Sequence, residues 1–159
     1  MNPFGWIYKR LRDRLVARPP ATPDARMRVA NLTRHSLLAT RLEVADSASK
    51  RSKGLLGRKL LAPGEGMWIV PCESVHTFAM KFPIDLVYLD RNLRIKKIKN
   101  AVPPWRLSGC LSAHSILELP AGAIRNTRTQ AGDLLEISPA PAPGSAEETP
   151  ALPGEETAQ

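Results

Sequence analysis

Leu38, Thr40, Leu42 and Val44 alternate with Ala39, Arg41 and Glu43, a period of two that predicts a half-buried β-strand. Strand-like patterning begins at about Met27. It continues through Met67–Val70, Val75–Met80, Ile84–Leu89, Arg94–Lys99, Ser115–Leu119 and Leu134–Ile137, with Asp90-Arg91-Asn92 as a turn. Asp46 or Ser47 can cap a short helix running through Lys50 and Arg51, which Gly54 or Gly57 would end. Gly122 separates the last two strands and leaves space for one helical turn. Short strands with turn signals at this spacing predict a mainly β fold, either an antiparallel β-sandwich or a small jelly-roll-like barrel, with one or two short helices.

The pattern changes character at both ends. Residues 1–18 place Phe4, Tyr8, Leu11 and Leu15 on one helical stripe, with Lys9, Arg10, Arg12, Arg14 and Arg18 largely elsewhere. Such a basic amphipathic segment can lie on an anionic membrane surface; a leader packed on the domain is the plainer expectation. Arg18-Pro19-Pro20-Ala21-Thr22-Pro23 reads as an extended linker. After Ser138 the chain is rich in Pro, Ala and Glu without aromatics, the composition of a disordered tail. The expected organisation is a basic leader and linker over 1–24, a single β domain over 25–138, and a tail over 139–159.

Charge sharpens this division. The 159 residues carry a net charge of +8, yet residues 1–58 hold 13 Lys/Arg against 4 Asp/Glu, and residues 139–159 hold 4 Glu and no base. Because the excess is N-terminal, nucleic acid is not an expected partner of the folded domain. Charges at Lys9, Arg10, Arg12 and Arg14 interrupt the apolar core a secretory signal needs. The expected location is therefore cytoplasmic, with membrane association through residues 1–18 as an option, and periplasmic placement is disfavoured. Two cysteines permit one disulfide, but nothing else marks a stapled secreted scaffold.

Candidate chemistry concentrates between His76 and Asp85, where His76, Lys81 and Asp85 stand among apolar residues. Buried polar groups must be satisfied or used. His76 could act as an acid–base group with Asp85 orienting it, while Lys81 or Arg58 holds an anion. Equally, Asp85 could accept backbone N–H groups in a turn after Pro83. If Val75–Met80 is a strand, His76, Phe78 and Met80 share a face, as in a half-buried cleft wall. A second arrangement is the pair of Cys-x-x-x-His spacings, Cys72 with His76 and Cys110 with His114. Together these could form a Cys₂His₂ zinc site. Positions four apart on a strand lie roughly 13 Å from each other, too far for one metal, so two half-buried thiols and two hydrogen-bonded histidines are favoured and no cofactor is expected. Cys110 lies between Arg106 and His114, which gives a third option, a thiol nucleophile with a neighbouring base. The run Arg94-Ile95-Lys96-Lys97-Ile98-Lys99, near Trp105 and Arg106, could meet phosphates or simply guard a sheet edge.

Four blocks in order resemble a known pattern: Arg51-Ser52-Lys53-Gly54-Leu55-Leu56-Gly57-Arg58, Gly64-Glu65-Gly66-Met67-Trp68-Ile69, His76 through Asp85, and Ile116-Leu117-Glu118-Leu119-Pro120-Ala121-Gly122 followed by Gly132-Asp133. They look like the bacterial and archaeal family called domain of unknown function 192, over about Arg41 to Ile137. The resemblance implies a compact, mostly antiparallel β-fold of the sandwich or jelly-roll kind, and no activity. Many members of that family resemble exported proteins, from which this N-terminus departs. The family's Trp-Met-Lys-Asn-Thr segment stands here as Phe78-Ala79-Met80-Lys81-Phe82, with Phe82-Pro83 replacing the Asn-Thr pair, so that part of any cleft is less polar. The expectation is a ligand-binding or accessory module for an unknown small molecule or protein, with Arg58, His76, Met80, Lys81 and Asp85 as candidate binding residues. The alternatives are a hydrolase-like enzyme using His76 with Asp85 or Cys110 with His114, and a membrane-surface or nucleic-acid adaptor working through the basic N-terminus.

Overall fold

The computed structural model describes residues 27–140. The leader and linker expected from the sequence, and the tail beyond residue 140, lie outside the described residues, while Pro139, expected to begin the tail, is the last residue of the final strand. Within them the chain is mainly β, with nine strands and two short helices: β1 (Met27–Asn31), β2 (Ser36–Ala45), α1 (Ala48–Lys53), β3 (Glu65–Ile69), β4 (Ser74–His76), β5 (Ile84–Leu89), β6 (Ile95–Val102), β7 (Leu107–Gly109), β8 (Ser115–Pro120), α2 (Ala123–Asn126) and β9 (Leu135–Pro139). Seven strands form one sheet in the order β6-β5-β8-β3-β2-β1-β9, and β4 pairs with β7 as a separate ribbon.

Curvature gives this sheet an inside. Its edge strands β6 and β9 meet at one end, where Arg94 bridges Leu134 and Leu93 and Ile95 exchange backbone hydrogen bonds with Gly132, Asp133 and Leu135. The result is a curled half-barrel. One face packs Val29, Leu42, Trp68, Val87, Leu117 and Ile137 against one another. The opposite face packs Met67, Ile69, Ile84, Leu86, Tyr88 and Ile116 under Leu55, Leu61 and Met80. β5, whose Ile84-Asp85-Leu86-Val87-Tyr88-Leu89 is buried throughout, is covered on both faces, which is why it reads as an almost unbroken apolar run.

Pairing is antiparallel except between β2 and β3, which run parallel. A parallel pair needs a crossover, supplied here by residues 46–64 with α1 inside them. Ser47 caps α1, its hydroxyl accepting from the Lys50 amide, and the helix ends at Gly54. The sequence expected Val75–Met80 as one strand. β4 stops instead at His76: Ala79 takes a left-handed φ of 60°, and the Met80 amide donates to the Thr77 carbonyl in a turn. β7, unforeseen in the sequence, pairs His76 with Leu107 and Ser74 with Gly109. Tyr88 anchors this ribbon to the sheet, its hydroxyl 2.6 Å from Ser108 Oγ, while Lys97 donates to the Gly109 carbonyl. The basic run that includes Lys97 thus lies on edge strand β6.

Candidate functional site

Alternation along β8 creates the central feature of the site. Leu117 and Leu119 point into the concave core, so Ile116 and Glu118 face the other way. Glu118 is 3% exposed, with Met67 of β3 and Leu86 of β5 as its cross-strand neighbours. Among the described residues its Oε2 is buried without a hydrogen-bond partner. Burial pushes its pKa from 4.5 up to about 7, partly opposed by the Arg58 guanidinium. Trp68 Nε1 and Ser115 Oγ are also buried and unpartnered, but neither residue lines the pocket that Glu118 lines.

That pocket has a volume of about 240 Å³. The end of α1 and the loop after it provide one wall through Arg51, Lys53, Leu55 and Leu56; Ile69, Cys72, Val75, His76 and Met80 provide the other. The walls mix apolar and polar groups in about equal measure, with two cations, an imidazole and two serines among them and one carboxyl from the sheet. The Cys72 thiol donates to the Ser74 carbonyl at 3.0 Å, and burial raises its pKa. It is held as a neutral thiol rather than as an activated thiolate.

The structure divides the expected binding residues. His76 and Met80 line the pocket; Arg58, Lys81 and Asp85 do not. Arg58 instead pairs with Glu43 at 2.7 Å, and Lys81 is exposed. Asp85 is fully buried and accepts from the amides of Ala101 at 2.7 Å, Gly122 at 3.0 Å and Ile124 at 2.9 Å. Its carboxylate caps the first turn of α2 from a distant strand, so it anchors structure and does not orient His76. The backbone-accepting role weighed for Asp85 is met, though with donors remote in sequence. Gly122 adopts φ of 96° there, a conformation glycine enters without a Cβ clash.

His76 stacks on Phe78, ring centroids 5.1 Å apart, and Phe78 in turn meets Trp105 at 5.9 Å. Thr77 pins this segment by donating to the Pro103 carbonyl and accepting from the Arg106 amide. Among the described residues no group of three His, Cys, Asp or Glu side chains is placed to hold a metal ion, so Cys72, His76, Cys110 and His114 do not converge as a zinc site. Both cysteines are free thiols. Cys110 Sγ faces Ser112 Oγ, and no hydrogen bond joins Cys110 to His114. The strongest feature, Glu118, was absent from the expected set. Its signal was present in the chain: a single carboxylate inside Ile116-Leu117-Glu118-Leu119, with no neighbouring base to pair it.

Fold and pocket together define a small curled-sheet β-protein with one charged side chain at the floor of a surface cleft. The chain belongs to the domain of unknown function 192 family, described as "Uncharacterized ACR", which it matches over residues 29–137. It is 31% identical over 117 residues to a UPF0127 protein of Thermococcus kodakarensis, covering 70% of this chain and 73% of that one. A UPF0127 protein of Thermococcus sibiricus is 31% identical over 117 residues, covering 67% and 71%. Among solved structures, a Sinorhizobium meliloti protein whose description proposes a transcription regulator matches with a TM-score of 0.63 at 23% identity, over 71% of this chain and 92% of that one. A protein of unknown function from Novosphingobium aromaticivorans matches with a TM-score of 0.61 at 20% identity, over 78% and 96%. At these identities the two structures establish a shared fold. Among the described residues no helix is long and apolar enough to cross a membrane.

Proposed function

We propose that this protein is a ligand-binding or accessory module whose small-molecule site is the pocket over Glu118. One observation carries the reading: a carboxyl group buried at a pocket wall with an oxygen that no group among the described residues satisfies. Leaving such an atom unpaired costs about 1–3 kcal/mol, and a bound donor would recover part of that cost. Apolar side chains and several polar groups lining one volume can both bury and orient a small ligand. The hydrolase-like alternative has less support, because Asp85 accepts three backbone amides and Cys110 Sγ faces Ser112 Oγ rather than His114.

A fragment-library screen by amide NMR tests the reading. Shift changes are expected at Arg51–Leu56, Cys72–His76 and Glu118, and Glu118→Leu should abolish them while the rest of the spectrum stays folded. Fragments that map elsewhere, or no binding at millimolar concentration, would overturn it.

A further inference from the structure

The lining of the pocket carries charges of both signs. Arg51 and Lys53 line it from α1, and among the described residues neither forms a salt bridge. Arg51 spends one nitrogen on the Asp46 carbonyl at 2.8 Å and keeps the rest of its guanidinium. Glu118 supplies the acidic end from β8, its Oε2 buried without a partner. Leu55, Ile69, Val75 and Met80 add apolar surface to the same lining.

We infer that the occupant of this pocket is amphoteric, a small molecule with a protonated amine seated on Glu118, an anionic group held by Arg51 and Lys53, and an apolar spacer between the two. This rests on the ligand-site reading above and adds the class of ligand. Each simpler ligand meets a specific penalty. A neutral apolar molecule leaves Oε2 unsatisfied. A simple anion in this lining sets its charge against that of ionised Glu118, and a simple cation sets its own against those of Arg51 and Lys53. A molecule carrying both charges at opposite ends avoids all three.

Protonation supplies an independent signature. The ionisable groups around Glu118 are Arg51 and Lys53 of α1, Arg58 of the following loop, Cys72 and His76 across the pocket, and Tyr88 on β5. An amine prefers ionised Glu118, whose carboxyl titrates near 7, so binding should release a proton and tighten as pH rises from about 6 to about 8.

Calorimetry with three probes of matched length decides the matter: ε-aminocaproate, caproate and hexylamine, each titrated into the full chain. ε-Aminocaproate should bind at least about tenfold more tightly than either singly charged probe. Glu118→Gln should cost about tenfold and abolish the pH dependence, while the double variant Arg51→Ala/Lys53→Ala should cost a similar factor and leave that dependence in place. Thermal melts of each variant establish that it is folded. Binding of caproate or hexylamine as tightly as ε-aminocaproate, through Glu118, would overturn the amphoteric class and leave the ligand-site reading standing. Absence of binding by all three would also overturn the amphoteric class, and the fragment map then decides the pocket separately.

Discussion

Asp85 on β5 and Glu118 on β8 are both buried in the same sheet, and the fold treats their carboxyl groups in opposite ways. Asp85 receives three backbone amides, from Ala101 of β6 and from Gly122 and Ile124 at the start of α2; Glu118 Oε2 receives none. The first residue is consumed by structure and the second is left to chemistry. Replacing Asp85 by Ala strands three amide donors, each costing about 1–3 kcal/mol when buried and unpaired. Asp85→Ala should therefore destabilise the protein by on the order of 3 kcal/mol or more in urea denaturation, with Asp85→Asn intermediate because one acceptor oxygen remains. A loss below about 0.5 kcal/mol would mean that the anchor is dispensable. In the sequence, Asp85 drew attention because it stands near His76 and Lys81. Its true partners lie 16 to 39 residues away, a separation that no local pattern carries.

Strands announced themselves better than their partners did. Ile84–Leu89 was legible residue for residue, and capping chemistry pointed to the helix with Asp46 or Ser47 as its cap and Gly54 or Gly57 as its end, between which the structure selects Ser47 and Gly54. What period-two patterning could not express was the parallel register of β2 on β3, which depends on how residues 46–64 cross over. Nor could it place β7, a three-residue strand between Arg106 and Cys110 with no alternation long enough to register. The strand expected to run to Met80 failed for a local reason: a backbone reversal at Ala79 that an alanine seldom adopts. α1 matters here because it carries Arg51 and Lys53 into the pocket, and its cap is exposed and simple. Ser47→Ala removes the acceptor for the Lys50 amide and should cost about 1 kcal/mol. Hydrogen exchange should rise at Lys50 and Arg51 while β5 and β8 remain protected. Unchanged exchange across α1 would mean the crossover is held by its packing rather than by its cap.

At the scale of the whole molecule, Asp133 and Glu118 set opposing limbs of the stability profile. Asp133 joins the start of the β9 segment to β1 and the loop after it, accepting from Asn31 Nδ2 at 2.9 Å, Arg34 Nε at 3.1 Å and the Gln130 amide. Burial by itself would raise its pKa, but the bonds from Asn31 and Arg34 outweigh that and hold it below 3.8. Its stabilisation is therefore complete above the unfolded value and is lost as pH falls through the lower folded one. Glu118 has the reverse sign. Raised from 4.5 to about 7, it binds a proton more tightly in the folded state, so stability declines as pH rises between those two values, by about 3 kcal/mol in total. Between them, these two groups favour the folded state most in the pH range above the Asp133 limb and below the Glu118 limb. Chemical denaturation across pH should show this dome in the wild type. Glu118→Gln should flatten the limb between about pH 4.5 and about pH 7 and leave the acid limb intact, and Asp133→Asn should do the converse. Because the alkaline limb arises from one unpartnered carboxyl at the pocket floor, a ligand that satisfies Glu118 in its ionised form should flatten it too. A stability curve that stays level between about pH 4.5 and about pH 7 in the wild type would show that Glu118 already has a partner in solution, and would remove the basis for an acidic subsite.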